Sequence, residues 1–380
     1  MHAWGFFNPV RIVCAPGACL RLGEHVRQER ILLVTSAGFR RRGLVDRIAG
    51  VLGPRLAGVV DDVSPNPDVD DIDRQAAAVR AIAPDLVVGL GGGSSIDTAK
   101  ALARLLPQPA GTTLAAHFRD GAPMAAVSAL PLAAIPTTAG TGAEVTPFGT
   151  VWDFAQGRKY SVAGDDMYPS VAVLDPELTV GLPLDVTLSS GLDAVSHALE
   201  STWNRNATPV TLGLATKSLQ LSIPALPRLK EAPDDIQARR AMMEASLLAG
   251  LAISQTRTAL AHSISYPLTA RFQVPHGIAC SITLPELLRF NVAEDDGRLA
   301  DLSRALGYKE IEGLAAVLDD LLGLLDMAEV FQRYVKKPEA VIQYVDEMLA
   351  PGRADNNLRL AGVEDVRAVL VAALASLSNS

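Results

Sequence analysis

Apolar positions in the first half of the chain gather into short continuous runs: Ile31–Thr35 (ILLVT), Leu56–Val60 (LAGVV), Leu86–Leu90 (LVVGL), Leu132–Pro136 (LAAIP) and Val171–Leu174 (VAVL). Between them lie segments with apolar residues at helical spacing, among them Gly43–Leu52, Asp71–Ile82 and Ser95–Leu106. Unbroken apolar strands alternating with helices predict a parallel sheet covered on both faces. Near residue 183 the pattern changes. Ser190–Thr202, Pro209–Ile223, Ile236–Ala252, Ile311–Leu322 and Val363–Ala375 all follow a 3.6-residue period, and strand signals become scarce. The pattern predicts an α/β nucleotide-binding domain over residues 1–183 and an all-α domain over 184–380. A cleft between two such domains is a common place for a ligand.

Composition narrows the class. Of 380 residues, 49% are hydrophobic and 20% charged, as in an ordinary soluble protein with sizeable cores. Three cysteines (Cys14, Cys19 and Cys280) make no disulfide or metal framework, so a reducing, cytoplasmic compartment is expected. Cys280 follows His276 closely and reads as a stray ligand or, preferably, a buried small hydrophobe. The net charge of −8 argues against a nucleic-acid footprint; Arg40, Arg41 and Arg42 are the only basic cluster. The N-terminus has no signal-peptide pattern, and no stretch is apolar for long enough to span a membrane.

Two loops carry candidate chemistry. Gly91-Gly92-Gly93-Ser94-Ser95 follows an apolar strand and precedes a helical pattern. Such a turn points backbone N–H groups and the positive end of the helix dipole at a ligand, which suits phosphate oxygens. The second loop, Pro136 to Thr146, is dense in hydroxyls and small residues and also follows a strand. It reads either as a hydrophilic loop or as a second cofactor contact, and the two loops support each other because open α/β sheets bind ligands at strand ends. The Gly-x-Gly-x-x-Gly fingerprint is absent, and the first strand–helix turn (Thr35 to Gly38) has no acidic residue.

Asp193 and His197 are four apart in a helical pattern, which places them on one face. His262 and His276 lie in further apolar or Pro/Gly contexts. The set reads either as an Asp-His₃ site for Fe²⁺, Zn²⁺ or another first-row ion, or as a helix charge with buried, hydrogen-bonded histidines.

Taken together, the motifs Gly91–Lys100, Pro136–Thr146, the Gly-x-Asp-Ala-x-x-His stretch ending at His197, and Pro275-His276-Gly277 resemble the iron-containing (group III) alcohol dehydrogenase family. The likeness covers essentially the whole chain, including the fourteen residues from His262 to His276. It implies a Rossmann-like domain with a parallel sheet, an all-α domain of the dehydroquinate synthase-like type, and a homodimer. It also implies a metal held by Asp193, His197, His262 and His276. By motif, Gly91, Gly92, Gly93, Ser94 and Ser95 correspond to the pyrophosphate loop of a nicotinamide cofactor. Thr137, Thr138, Thr141, Gly142 and Thr146 correspond to its second loop, Lys159 to a lysine near the ribose, and Asn66 to a residue near the adenosine.

Two positions depart from the family pattern. Tyr266 stands where many members carry a histidine associated with proton transfer, and reads equally as proton donor or packing residue. Ser36 stands where an aspartate often selects NAD, and with Arg40–Arg42 downstream it leans the cofactor towards NADPH, with NADH the alternative; the arginines also read as a solvated face. The stretch Gln255–Phe272 is similar to the phosphonoacetaldehyde reductase (hydroxyethylphosphonate dehydrogenase) branch. That likeness implies a phosphonate-bearing aldehyde, with Arg257 or Arg271 as its partner. Arg257 is five residues before His262 and so off its helical face, and Arg271 reads also as a surface residue. The expected activity is metal-assisted aldehyde reduction, with His262 and Tyr266 at the reacting centre. The alternatives are another small aldehyde (sulfoacetaldehyde, succinic semialdehyde or a simple aliphatic one), a dehydroquinate synthase-like lyase, and a non-catalytic binding protein.

Overall fold

The computed structural model describes residues 3–379 and divides into two compact units. One comprises Asn8–Thr138 and Ala143–Thr179; the other comprises Ala139–Gly142 and, of the described residues, 3–7 and 180–379.

The first unit is α/β. Six strands, β1 (Arg11–Cys14), β2 (Ile31–Val34), β3 (Leu56–Val60), β4 (Leu86–Gly91), β5 (Leu132–Pro136) and β8 (Val171–Leu174), form a parallel sheet in the order β1-β8-β5-β4-β2-β3. Residues of β2, β4, β5 and β8 are buried throughout, as their unbroken apolar runs require. One face packs on Val69, Ile72, Ala99 and Leu102; the other packs on Leu22, Leu44, Val45 and Ile48. Strand order reverses between β2 and β4, so the loops after these strands leave the sheet at the switch point where α/β folds bind ligands. Because Gly91 is in register with Pro136, the glycine loop and the threonine loop also leave side by side. An antiparallel hairpin, β6 (Phe148–Asp153) with β7 (Arg158–Ala163), completes the unit. Neither β1 nor this hairpin stands out in the sequence: β1 is an edge strand with mostly exposed residues, β6 alternates instead of running apolar, and β7 is mostly unburied.

The second unit is helical. Its central helices are α2 (Leu184–Thr202), α3 (Pro209–Glu231), α4 (Ile236–Thr256), α5 (Leu260–Phe272) and α6 (His276–Ser281); α1 (Gly93–Leu105) belongs to the α/β unit. Helix α3 starts at a capping box on Thr208 and runs through Pro224 and Pro227, eight residues beyond the expected end at Ile223. Among the described residues no helix is long and apolar enough to cross a membrane.

Candidate metal centre and cofactor loops

Helix α2 is buried from Gly191 to Thr202, so the polar side chains it carries there must find partners inside the protein. Asp193 and His197 share one face, with His197 Nε2 3.7 Å from Asp193 Oδ1. His262, near the start of α5, brings Nε2 to 3.5 Å from the same oxygen, and His276, the first residue of α6, brings its Nε2 to 3.9 Å. Gly277 makes that approach possible: a Cβ there would stand 1.8 Å from the Ser189 carbonyl oxygen and 3.0 Å from Asp193 Cβ. The His197 and His262 rings stack at 4.8 Å, and the His276 ring meets His262 edge-on at 5.2 Å.

Hydrogen bonds on the far side of two rings set their tautomers. His262 Nδ1 donates to Glu200 Oε2 at 2.6 Å, and His197 Nδ1 donates to the Gly140 carbonyl at 3.2 Å. Each Nε2 is thereby left facing Asp193, where it can offer a lone pair to a cation that takes the place of a proton. Asp193 Oδ1 and His262 Nε2 are buried without a hydrogen-bond partner, which is costly for such groups unless they hold an ion. Donors bound about 2.0–2.2 Å from one tetrahedral ion stand roughly 3.3–3.6 Å apart, close to the separations here. The residues present therefore fit a divalent metal.

Electrostatics point the same way. Burial would raise the Asp193 carboxyl, but His197, His276 and His262 outweigh it and hold it well below the usual carboxylate range. Burial disfavours a charged His262, yet Cys280, Glu200 and Asp193 lift its pKa well above the ordinary value. Two buried carboxylates thus create a field that favours a positive charge at this point.

Glu200 was not singled out in the sequence, although it sits seven residues after Asp193 on α2. Its carboxylate accepts the Ala259 and His262 backbone N–H groups as well as the His262 ring. Cys280, expected to be a small hydrophobe, is buried with Sγ 3.8 Å from the His276 ring and joins Asp193, His262 and His276 within a 4.8 Å group. Tyr266, one turn after His262 on α5, has its hydroxyl 3.1 Å from Arg353 Nε and accepts its hydrogen bond. Of the two arginines expected near an anionic substrate, Arg271 is exposed, pairs with Glu347 and lies over the Tyr344 ring. Arg257, just after α4, has a positive φ with extended ψ (φ 65°, ψ 177°), a backbone conformation that costs about 1–3 kcal/mol outside glycine.

In the α/β unit, Gly91 has φ 149°, and a Cβ there would stand 2.4 Å from Ser95 Oγ. Helix α1 starts at Gly93, with its first turn at the end of β4. Asn66 comes to this loop, its N–H donating to Ser94 Oγ at 3.2 Å. Thr138 borders Gly92, and the Thr137 N–H donates to the Gly91 carbonyl. Thr146 is buried and used internally: Lys100 Nζ donates to its hydroxyl at 3.0 Å and to the carbonyls of Ala143, Thr146 and Phe148 at 2.7–2.8 Å. Lys100 is fully buried; nothing but its place in the glycine-loop motif marked it in the sequence. Lys159 on β7 lies over the Trp152 ring at 5.4 Å. Ser36 precedes a short helix without capping it, and the downstream arginines are partly committed: Arg40 pairs with Asp61, and Arg42 lies over the Phe39 ring.

Two family models match the chain: iron-containing alcohol dehydrogenase over residues 9–176 and the C-terminal region of that family over 187–374. The chain belongs to the iron-containing alcohol dehydrogenase family. Like other members, this dehydrogenase is an oxidoreductase, and the match sets aside the lyase and binding-protein readings. It is 37% identical to a phosphonoacetaldehyde reductase of Streptomyces viridochromogenes, covering 77% of this chain and 75% of that protein. It is 33% identical to an NAD-dependent methanol dehydrogenase of Bacillus methanolicus, over 82% of this chain and 81% of that one. A sulfoacetaldehyde reductase from Bifidobacterium kashiwanohense, solved with NAD⁺, superposes with a TM-score of 0.90 at 30% identity, over 98% of this chain and 99% of that one.

Proposed function

We propose that this dehydrogenase reduces phosphonoacetaldehyde to 2-hydroxyethylphosphonate, with Asp193, His197, His262 and His276 holding Fe²⁺ or Zn²⁺. The observation that carries the metal is the pair of buried, unpartnered donors, Asp193 Oδ1 and His262 Nε2, facing one point. What supports the substrate is the 37% identity to a phosphonoacetaldehyde reductase. Bound there, a divalent metal would polarise an aldehyde oxygen, and a reduced nicotinamide would supply hydride. Gly91 to Ser95 would hold the cofactor pyrophosphate through the N-terminus of α1, with Thr137, Thr138, Thr141 and Gly142 alongside. Asn66 and Lys159 would face the adenosine and ribose. Thr146 would act indirectly, through its bond to Lys100. Tyr266 on α5, whose hydroxyl accepts a hydrogen bond from Arg353, would be the proton donor.

With Arg40 committed to Asp61, Ser36 leaves NADPH and NADH both admissible. The likeness to the sulfoacetaldehyde reductase favours a second reading, reduction of a sulfonate-bearing aldehyde. A metal-loaded preparation, followed by NADPH and NADH oxidation, tests both readings against phosphonoacetaldehyde, sulfoacetaldehyde, succinic semialdehyde and propanal. Equal rates on neutral and anionic aldehydes would sink the anionic-substrate reading and leave the dehydrogenase intact. Full metal content and full activity in His262→Ala would overturn the metal assignment.

A further inference from the structure

We infer that Arg353 is the residue that selects an anionic tail on the substrate, working from the turn beside Tyr266. The inference rests on the reductase reading above and replaces the two arginines that the sequence brought forward. Arg353 is half-buried, and its guanidinium makes two described hydrogen bonds: Nε to the Tyr266 hydroxyl at 3.1 Å and Nη1 to the Gly352 carbonyl at 3.0 Å. Among the described residues no carboxylate pairs with it, whereas Arg271, Arg289, Arg298 and Arg359 in the same unit all pair with one. The partner it does have, Tyr266, lies one helical turn from the metal ligand His262, a separation of roughly 5–6 Å between Cβ atoms. The guanidinium is thus one hydrogen bond away from a side chain on the turn that follows His262.

The segment that presents Arg353 is fastened to the same helix. Buried Ser263, next to His262, donates to the Met348 carbonyl at 2.6 Å and accepts from the Ala350 N–H at 2.7 Å. Asn356 Nδ2 ties the turn again, donating to the carbonyls of Thr258 and Gly352 at 2.8 and 3.1 Å. The backbone that carries this long, rotamer-rich cation is thus fastened on both sides, which lowers the cost of ordering it on a ligand. Its fork still carries donors that match a phosphonate or sulfonate oxygen.

Arg353→Met and Arg353→Lys are compared with the parent enzyme, all loaded with metal. Arg353→Met should raise KM for phosphonoacetaldehyde ten- to a hundred-fold, as expected for one charge-assisted hydrogen bond. Any loss that acts through Tyr266 should be shared by propanal, so the ratio of kcat/KM for phosphonoacetaldehyde to that for propanal should fall ten- to a hundred-fold, with metal content unchanged; Arg353→Lys should recover part of the loss. Ethylphosphonate as an inhibitor of propanal reduction separates this inference from the substrate reading. If the parent enzyme turns over only neutral aldehydes, the substrate reading fails, yet a tenfold weaker ethylphosphonate inhibition in Arg353→Met still supports the anion subsite. Unchanged inhibition, or an equal loss on neutral and anionic compounds, overturns it.

Discussion

At the scale of single residues, the Asp193–histidine cluster shows why the outer partner of a proposed ligand matters as much as the ligand. His262 presents Nε2 because Glu200 takes its Nδ1–H, and Glu200 is held by two backbone N–H groups at the start of α5. Burial would raise the Glu200 carboxyl, but His262 and those N–H groups hold it below its ordinary value, so it stays a charged acceptor. Glu200→Gln should therefore keep the fold and lose ten- to a hundred-fold in metal affinity, read by titration against a competing chelator. An unchanged affinity would show that the ring is oriented by packing alone. The cluster of the four proposed ligands was legible because Asp193 and His197 share a helical face and the later histidines stand in recognisable motifs. Glu200 and Arg353 were not, since their partners lie 62 and 87 positions away and no local spacing announces them.

Among the elements, the link between α1 and the threonine loop is the most informative. Lys100 reaches from α1 to four oxygens of residues 143–148, and Asp97, one turn earlier, accepts the Thr150 N–H. The helix that opens at the glycine loop thus also shapes the stretch after the second loop. Lys100→Met would leave buried carbonyls unpaired and should cost on the order of 3 kcal/mol, together with a raised KM for the nicotinamide cofactor. Denaturant unfolding and cofactor kinetics on one preparation check both. Burial pushes Lys100 down to about 8, Asp97 up to about 6 and Glu144 up to about 7. Between pH 4.5 and 7 the folded chain keeps the Glu144 proton that the unfolded chain has released, so this group's contribution to stability falls as pH rises through that window. Glu144→Gln has no such dependence. Its stability relative to the parent should therefore climb from pH 4.5 to 7, by up to about 3 kcal/mol, in urea unfolding at several pH values. A pH-independent difference would refute the raised carboxyl. The strands and most helices around this link were readable from apolar runs and period, whereas the extension of α3 past Pro224 was hidden because prolines normally end such a pattern.

For the molecule as a whole, all four proposed metal ligands belong to the helical unit and the glycine loop belongs to the α/β unit. Metal should accordingly protect Leu184–Thr202 and Leu260–Ser281 in hydrogen exchange, with about 2.7 kcal/mol of stabilisation at a hundredfold excess over Kd, while Leu86–Leu105 responds to nicotinamide cofactor instead. Uniform protection by either ligand would contradict this division. The sequence pattern shows the change from strands to helices near residue 183, but it could not show that four residues, Ala139–Gly142, group with the helical unit. Only tertiary packing reveals that, because the segment has the same small, hydroxyl-rich character as its flanks. Gly140 in this tetrapeptide provides the carbonyl that fixes His197. The two halves of the gene are therefore not exchangeable cassettes. A chimera joined after Thr179 would inherit its ligand side chains from one parent and a hydrogen-bond acceptor for one of them from the other, so its appetite for metal would follow the donor of residues 139–142 as well as the donor of the ligands.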